Sequence, residues 1–188
     1  MAGVLVEQIR ERLWPAGPTR DVWAILDGAR NKSIYWMVRH SFLESTCLFS
    51  GDLSSELEQA APYLIQLDRD DELVEQLVER GWADNWGVFF KSGTSLNKLR
   101  RHLREFLRVR DTSGKRLLFR YYDPRVLRIY LPTCTTTELR TVFGPIETFW
   151  AVAEDPSVML DFSFDGNTLT QKSVRVQPRS SLLQDAFR

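Results

Sequence analysis

The chain has 188 residues with 25 Lys+Arg against 25 Asp+Glu, so its formal charge is zero at pH 7. Neutrality argues against a generic polyanion binder, whose affinity comes from uncompensated basic charge placed on phosphates. A chain of this length buries about 70% of its unfolded surface as one domain, or one domain with a small lobe, and needs no metal or disulfide staple. Its 43% hydrophobic and 12% aromatic content excludes low-complexity and collagen-like classes.

Residues 4–13 carry an apolar helical stripe (Val4, Leu5, Ile9, Leu13) that Pro15 ends, which reads as an appended helix or arm. Val22 to Leu26 is an apolar run closed by Asp27-Gly28, a buried strand followed by a turn. Ile34, Tyr35, Met37, Val38, Ser41 and Phe42 follow helical spacing, and Cys47-Leu48-Phe49 reads as a short strand. Pro62 to Leu67 is a further strand, and Asp70 or Asp71 caps a helix over Leu73, Val74, Leu77 and Val78 that Gly81 ends in a left-handed conformation.

Gly87 to Lys91 is the next strand, and Ser95 opens the cleanest helix. There Leu96, Leu99, Leu103, Phe106 and Leu107 face the sheet, while Lys98, Arg100, Arg101, His102 and Arg104 take a basic, solvated face. Leu107 to Arg110 and Leu117 to Tyr122 flank a hairpin loop at 111–114. Asp123-Pro124 caps a helix through Val126, Leu127 and Tyr130, and another short helix runs from Thr136 or Thr137 to Phe143. Three strand-like runs follow, Glu147 to Ala153, Val158 to Phe164 and Thr168 to Val176; from Gln177 the residues are polar enough for a loose tail, the alternative being that Leu182, Leu183 and Phe187 dock as a helical turn.

Strands alternating with helices give an α/β (mixed α+β) class: a central mixed sheet with flanking helices and a C-terminal antiparallel meander or small lobe. The expected organisation is an N-terminal helix or arm at 1–20, the main α/β domain at 21–145, and a strand-rich lobe and tail at 146–188.

Motifs for chemistry are sparse. Neither phosphate-cradling glycine motif occurs, nor H-E-x-x-H, nor G-x-S-x-G. With only His40 and His102, no metal site is expected, and no cofactor. Cys47 and Cys134 stand outside any C-x-x-C pair, which suits a reducing compartment. As small hydrophobes they are core filler more readily than nucleophiles. Charges from Glu7 onward exclude a secretory signal, and no run approaches the roughly 18 apolar residues of a membrane span. The expected compartment is the cytoplasm, with no membrane partner.

Zero total charge hides segregation. Residues 44–84 hold 11 acids and 2 bases, a net of −9, whereas residues 98–128 hold 11 bases and 3 acids, a net of +8. Either the two segments neutralise each other across neighbouring helices, or they form two oppositely charged faces that steer different partners. Phe119-Arg120-Tyr121-Tyr122-Asp123-Pro124-Arg125 is the densest mixture of aromatic, charged and special-backbone residues. A partly buried Arg120 there needs an acidic partner, and Asp27 at the end of the first strand is the candidate.

Five strings in order carry a family resemblance: Trp23-Ala-Ile-Leu-Asp27-Gly28-Ala29, Leu48-Phe49-Ser-Gly51, Ala61-Pro62-Tyr63-Leu64, Leu99-Arg-Arg-His102-Leu103-Arg104, and Leu118-Phe119-Arg120-Tyr121-Tyr122-Asp123-Pro124-Arg125-Val126-Leu127. With Phe143-Gly144-Pro145 they make residues 22–145 resemble the type VI secretion effector-chaperone (adaptor) family. The resemblance implies a non-enzymatic cytoplasmic adaptor that holds the N-terminal region of an effector and helps load it onto a VgrG spike or a PAAR-type tip.

On that reading the contact region is the basic helix with Arg100, Arg101 and Arg104 and the corner with Arg120, Tyr122, Asp123 and Arg125, while Trp82 and Trp86 are candidate interface anchors. Nucleic acid is not an expected partner. The alternatives are a nucleic-acid-binding module using helix 96–107 with Tyr121 and Tyr122, and a hydrolase using Cys47 or Cys134.

Overall fold

The computed structural model describes residues 2–16, 19, 21–110 and 113–176. The chain runs α1 (Ala2–Leu13), β1 (Val22–Asp27), α2 (Ser33–His40), β2 (Ser45–Cys47), α3 (Ser55–Gln59), β3 (Pro62–Gln66) and α4 (Glu72–Gln76), then a π-helical turn (Leu77–Gly81). It continues through β4 (Gly87–Lys91), α5 (Leu96–Glu105), β5 (Arg108–Arg110), β6 (Arg116–Leu118), α6 (Pro124–Tyr130), α7 (Thr136–Phe143), β7 (Thr148–Val152), β8 (Val158–Phe164) and β9 (Leu169–Arg175).

β1 shows how an uninterrupted apolar strand is accommodated. Val22, Ala24 and Leu26 enter one core, Trp23 and Ile25 the other, and every residue of the strand is buried. Such a strand needs cover on both faces. α1, α2, α4 and the π turn provide it on the first face; α5, α6 and α7 provide it on the second. Burial of apolar surface at about 25 cal/mol per Å² is what fixes these helices to the sheet. The N-terminal helix is part of this packing: Val6, Ile9, Leu13 and Trp14 are buried in the first core.

The main sheet has the order β2-β3-β1-β4-β7-β8-β9. The class is mixed α+β, as the alternation of elements indicates, but each pairing in this sheet is antiparallel instead of mixed. The geometry explains the difference. β1 and β2 run the same way with α2 between them, and β3 and β4 run the same way with α4 between them, but each pair encloses a strand of the other. Residues 22–91 therefore form the split βαβ pair of ferredoxin-like folds, which shares its sequence rhythm with a parallel sheet. The meander β7–β9 continues this sheet, joined to β4 through Phe89↔Trp150 and Phe90↔Phe149.

Three further details differ from the sequence reading. Gly81 does not end a helix in a left-handed conformation; the positive φ falls on Asn85, at 56°. The 107–122 hairpin is a separate ribbon whose second strand stops at Leu118, so residues 119–122 leave the strand. α3, with Ser54 as its cap, has no counterpart in the sequence pattern. Loop residues 111 and 112, and the tail with Leu182, Leu183 and Phe187, lie outside the described residues.

Candidate functional site

The basic helix α5 turns Leu99 and Leu103 into the second core, which sets the direction of its arginines. Arg100 Nε donates to the carbonyl oxygen of Cys47 at 3.3 Å, fastening α5 to the edge strand β2 and covering one of its free acceptors. Arg101 and Arg104, with Glu105 beside them and Arg108 of β5, instead rim an open groove of about 530 Å³, three cations against one carboxylate. Its walls are Leu48, Phe49, Leu53 and Leu57 on one side and Leu107 and Leu118 on the other. Leu57 and Leu118 are 53% and 49% exposed, so apolar surface is presented to solvent there. α3 forms one wall; its N-cap Ser54 accepts from Leu57 N at 3.3 Å and holds that leucine at the rim.

The corner residues form a different kind of assembly. Asp27 is fully buried; its Oδ1 accepts from Ala29 N at 3.1 Å, and its Oδ2 accepts from the Arg120 guanidinium. The expected Arg120–Asp27 partnership is thus present. Tyr122, also buried, lies against Arg120, and burial pushes its hydroxyl pKa well above the usual tyrosine value. Asp123 caps α6 through Arg125 N at 3.0 Å and takes the Arg125 guanidinium in two bonds, of 3.0 and 2.6 Å. Those bonds to Arg125 hold its carboxyl below the usual value in spite of burial. Gly28 belongs to the same corner: an added Cβ would stand 2.4 Å from the Gln59 carbonyl oxygen and 2.6 Å from that of Ala61. These motif residues lock one end of β1 to the start of α6.

Trp82 and Trp86 are not surface anchors. Both are 4% exposed and sit in the first core, on the face opposite α5. Trp82 Nε1 donates to the Pro156 carbonyl at 2.8 Å, and Gly81 packs against the Trp86 ring with Arg80 stacked 5.6 Å from its centre. Tyr121 and Tyr122 are buried as well, so neither offers a ring on which a nucleic-acid base could stack. Sequence spacing located two of the three rim arginines, but it missed Arg108 and the apolar walls, which meet only through folding.

His102 is half-buried instead of solvated: its Nε2 lies 3.0 Å from the Val142 carbonyl, its ring meets Phe106 edge-on, and burial holds its pKa below the usual imidazole value. Burial raises both thiols, and Cys134 Sγ donates to the Tyr130 carbonyl at 3.4 Å. A raised thiol pKa opposes formation of the thiolate that nucleophilic chemistry needs. Among the described residues, no cluster of three or more His, Cys, Asp or Glu is placed to hold a metal, and no helix is long and apolar enough to cross a membrane.

Charge segregation survives folding in part: α3, with Glu56 and Glu58, walls the arginine-rimmed groove, but the larger acidic helix lies elsewhere. α4 and its acidic residues pack on one face of the sheet and α5 on the other. Among the described residues, no arginine of segment 98–128 makes an ion pair with a carboxylate of segment 44–84.

Residues 22–141 match the family model described as Domain of unknown function (DUF4123), and the chain belongs to that family. No curated protein and no solved structure matches it.

Proposed function

We propose that the protein is a non-enzymatic adaptor, or chaperone, of the bacterial cytoplasm that binds the N-terminal region of a type VI secretion effector and helps load it onto a VgrG or PAAR-type spike. The groove between α3 and α5 carries this reading. Its leucine and phenylalanine walls suit the apolar side of an amphipathic segment, and its arginine rim suits Asp or Glu along that segment's flanks. The family resemblance over residues 22–145 supplies the biological setting. The corner of Asp27, Arg120, Tyr122, Asp123 and Arg125 serves as the scaffold that fixes the sheet and helices around the groove.

Co-expression with the products of neighbouring effector and spike genes tests the proposal. The expected result is co-purification of the adaptor with the effector's N-terminal region. Failure to form a complex with either product would overturn it.

A further inference from the structure

A second surface lies on the other side of β2. α2 stops at His40, and Ser41 turns extended at φ −71°, ψ 149°. Phe42, which continued helical spacing would return to the core, therefore projects into solvent and is fully exposed. One helical turn before His40, Trp36 is 53% exposed and stacks on the His40 ring at 5.8 Å. Two hollows of about 300 and 200 Å³ flank Phe42. Asp71 and Glu72 stand in the wall of the first, Glu44 and Asp68 in that of the second.

These carboxylates differ in what they already do. Asp71 caps α4 through Leu73 N at 2.8 Å, and Asp68 accepts from Asp70 N at 3.2 Å. Glu44 is exposed, and Glu72 accepts from the Gln76 side chain at 2.8 Å. Arg69, beside Asp68 in sequence, is engaged by Glu7 and Asp70. Among the described residues, then, neither Glu44 nor Glu72 has an ion-pair partner. Exposed aromatics beside unspent charge mark binding surfaces, because the ring supplies burial and the charge selects the partner.

We infer that Trp36, His40 and Phe42, with Glu44 and Glu72, form a second docking surface for a polypeptide segment that bears Lys or Arg beside an apolar side chain. The inference rests on the adaptor reading for its partner being a protein. It gives the molecule two docking surfaces of opposite charge, separated along the chain by the three residues of β2.

The test uses two short labelled peptides with the same apolar residues, one carrying lysines and the other glutamates at the remaining positions, titrated into the full chain. The lysine peptide should bind, shift the NMR signal of the Trp36 indole, and weaken as salt rises. Phe42→Ser, and separately Glu44→Lys with Glu72→Lys, should each weaken it by about tenfold, whereas Arg101→Glu with Arg104→Glu should leave it unchanged. All of these positions are exposed or half-buried, so the variants should keep the fold.

Equal binding by Phe42→Ser, or equal binding of the glutamate peptide, overturns the inference. So does self-association of the wild type that Phe42→Ser abolishes, because the occupant is then a second copy of the chain. Loss of effector and spike co-purification with peptide binding intact would instead remove the adaptor reading and leave this surface standing.

Discussion

The Asp27 carboxylate is buried at the end of a central strand, and a charge there is tolerable only while it is paired and hydrogen-bonded. Arg120 is its ionic partner, reaching across 93 positions of chain. Removing the arginine leaves the buried carboxylate uncompensated, but Arg120 itself is partly open to solvent, so Arg120→Ala should cost about 1–3 kcal/mol in urea denaturation. The Asp27→Asn, Arg120→Ala double variant should recover part of that loss, since the orphaned charge goes with it. Asp123 belongs to the same corner, and Asp123→Ala should cost about 1–2 kcal/mol through the α6 cap.

His102 adds a pH dependence of definite sign. Burial depresses its pKa below 6.5 in the folded chain, so the unfolded chain takes up the proton first. Its contribution to stability is complete above about pH 6.5 and is lost as the pH falls from there through the folded value. Urea midpoints measured from pH 8 to pH 5 should decline below pH 6.5, with a shallower decline in His102→Gln.

Between elements, the α5–α7 contact depends on a glycine. Gly144 follows α7 with φ +48°, and an added Cβ would stand 2.4 Å from His102 Cε1. Gly144→Ala therefore strains the backbone and displaces the imidazole together. It should destabilise by more than the roughly 1 kcal/mol that marks an incompatible Gly→Ala change, with amide exchange rising first in α5 and α7.

Much at this scale was legible from sequence. β4 and β8 fall where their apolar runs place them, and the Asp123-Pro124 start of α6 follows from capping chemistry alone. Strand direction was not legible, because a helix joining two codirectional strands reads the same whether those strands are neighbours or enclose a third. Phe42 fits a helical stripe by spacing, and only the stop at His40 turns it outward. Trp82 and Trp86 continue the four-residue spacing of buried Val74 and Val78, but the helix end expected at Gly81 puts them in a polar turn instead. The groove could not be read at all: Leu57 and Leu118 are 61 positions apart and become neighbours only in the folded chain.

At the scale of the whole molecule, net neutrality conceals a sheet with an acidic helix on one face and a basic helix on the other. Charge placed this way costs no solubility and steers two unlike surfaces toward unlike partners. The most direct test of the central claim is the affinity of the effector's N-terminal region for the wild type and for Arg101→Glu with Arg104→Glu, measured beside their melting temperatures. Binding at least tenfold weaker at an unchanged melting temperature is the predicted result, because the two reversals set like charges against the acidic flanks of the bound segment. Unaltered affinity in the charge-reversed variant would contradict the assignment of the groove as the effector site.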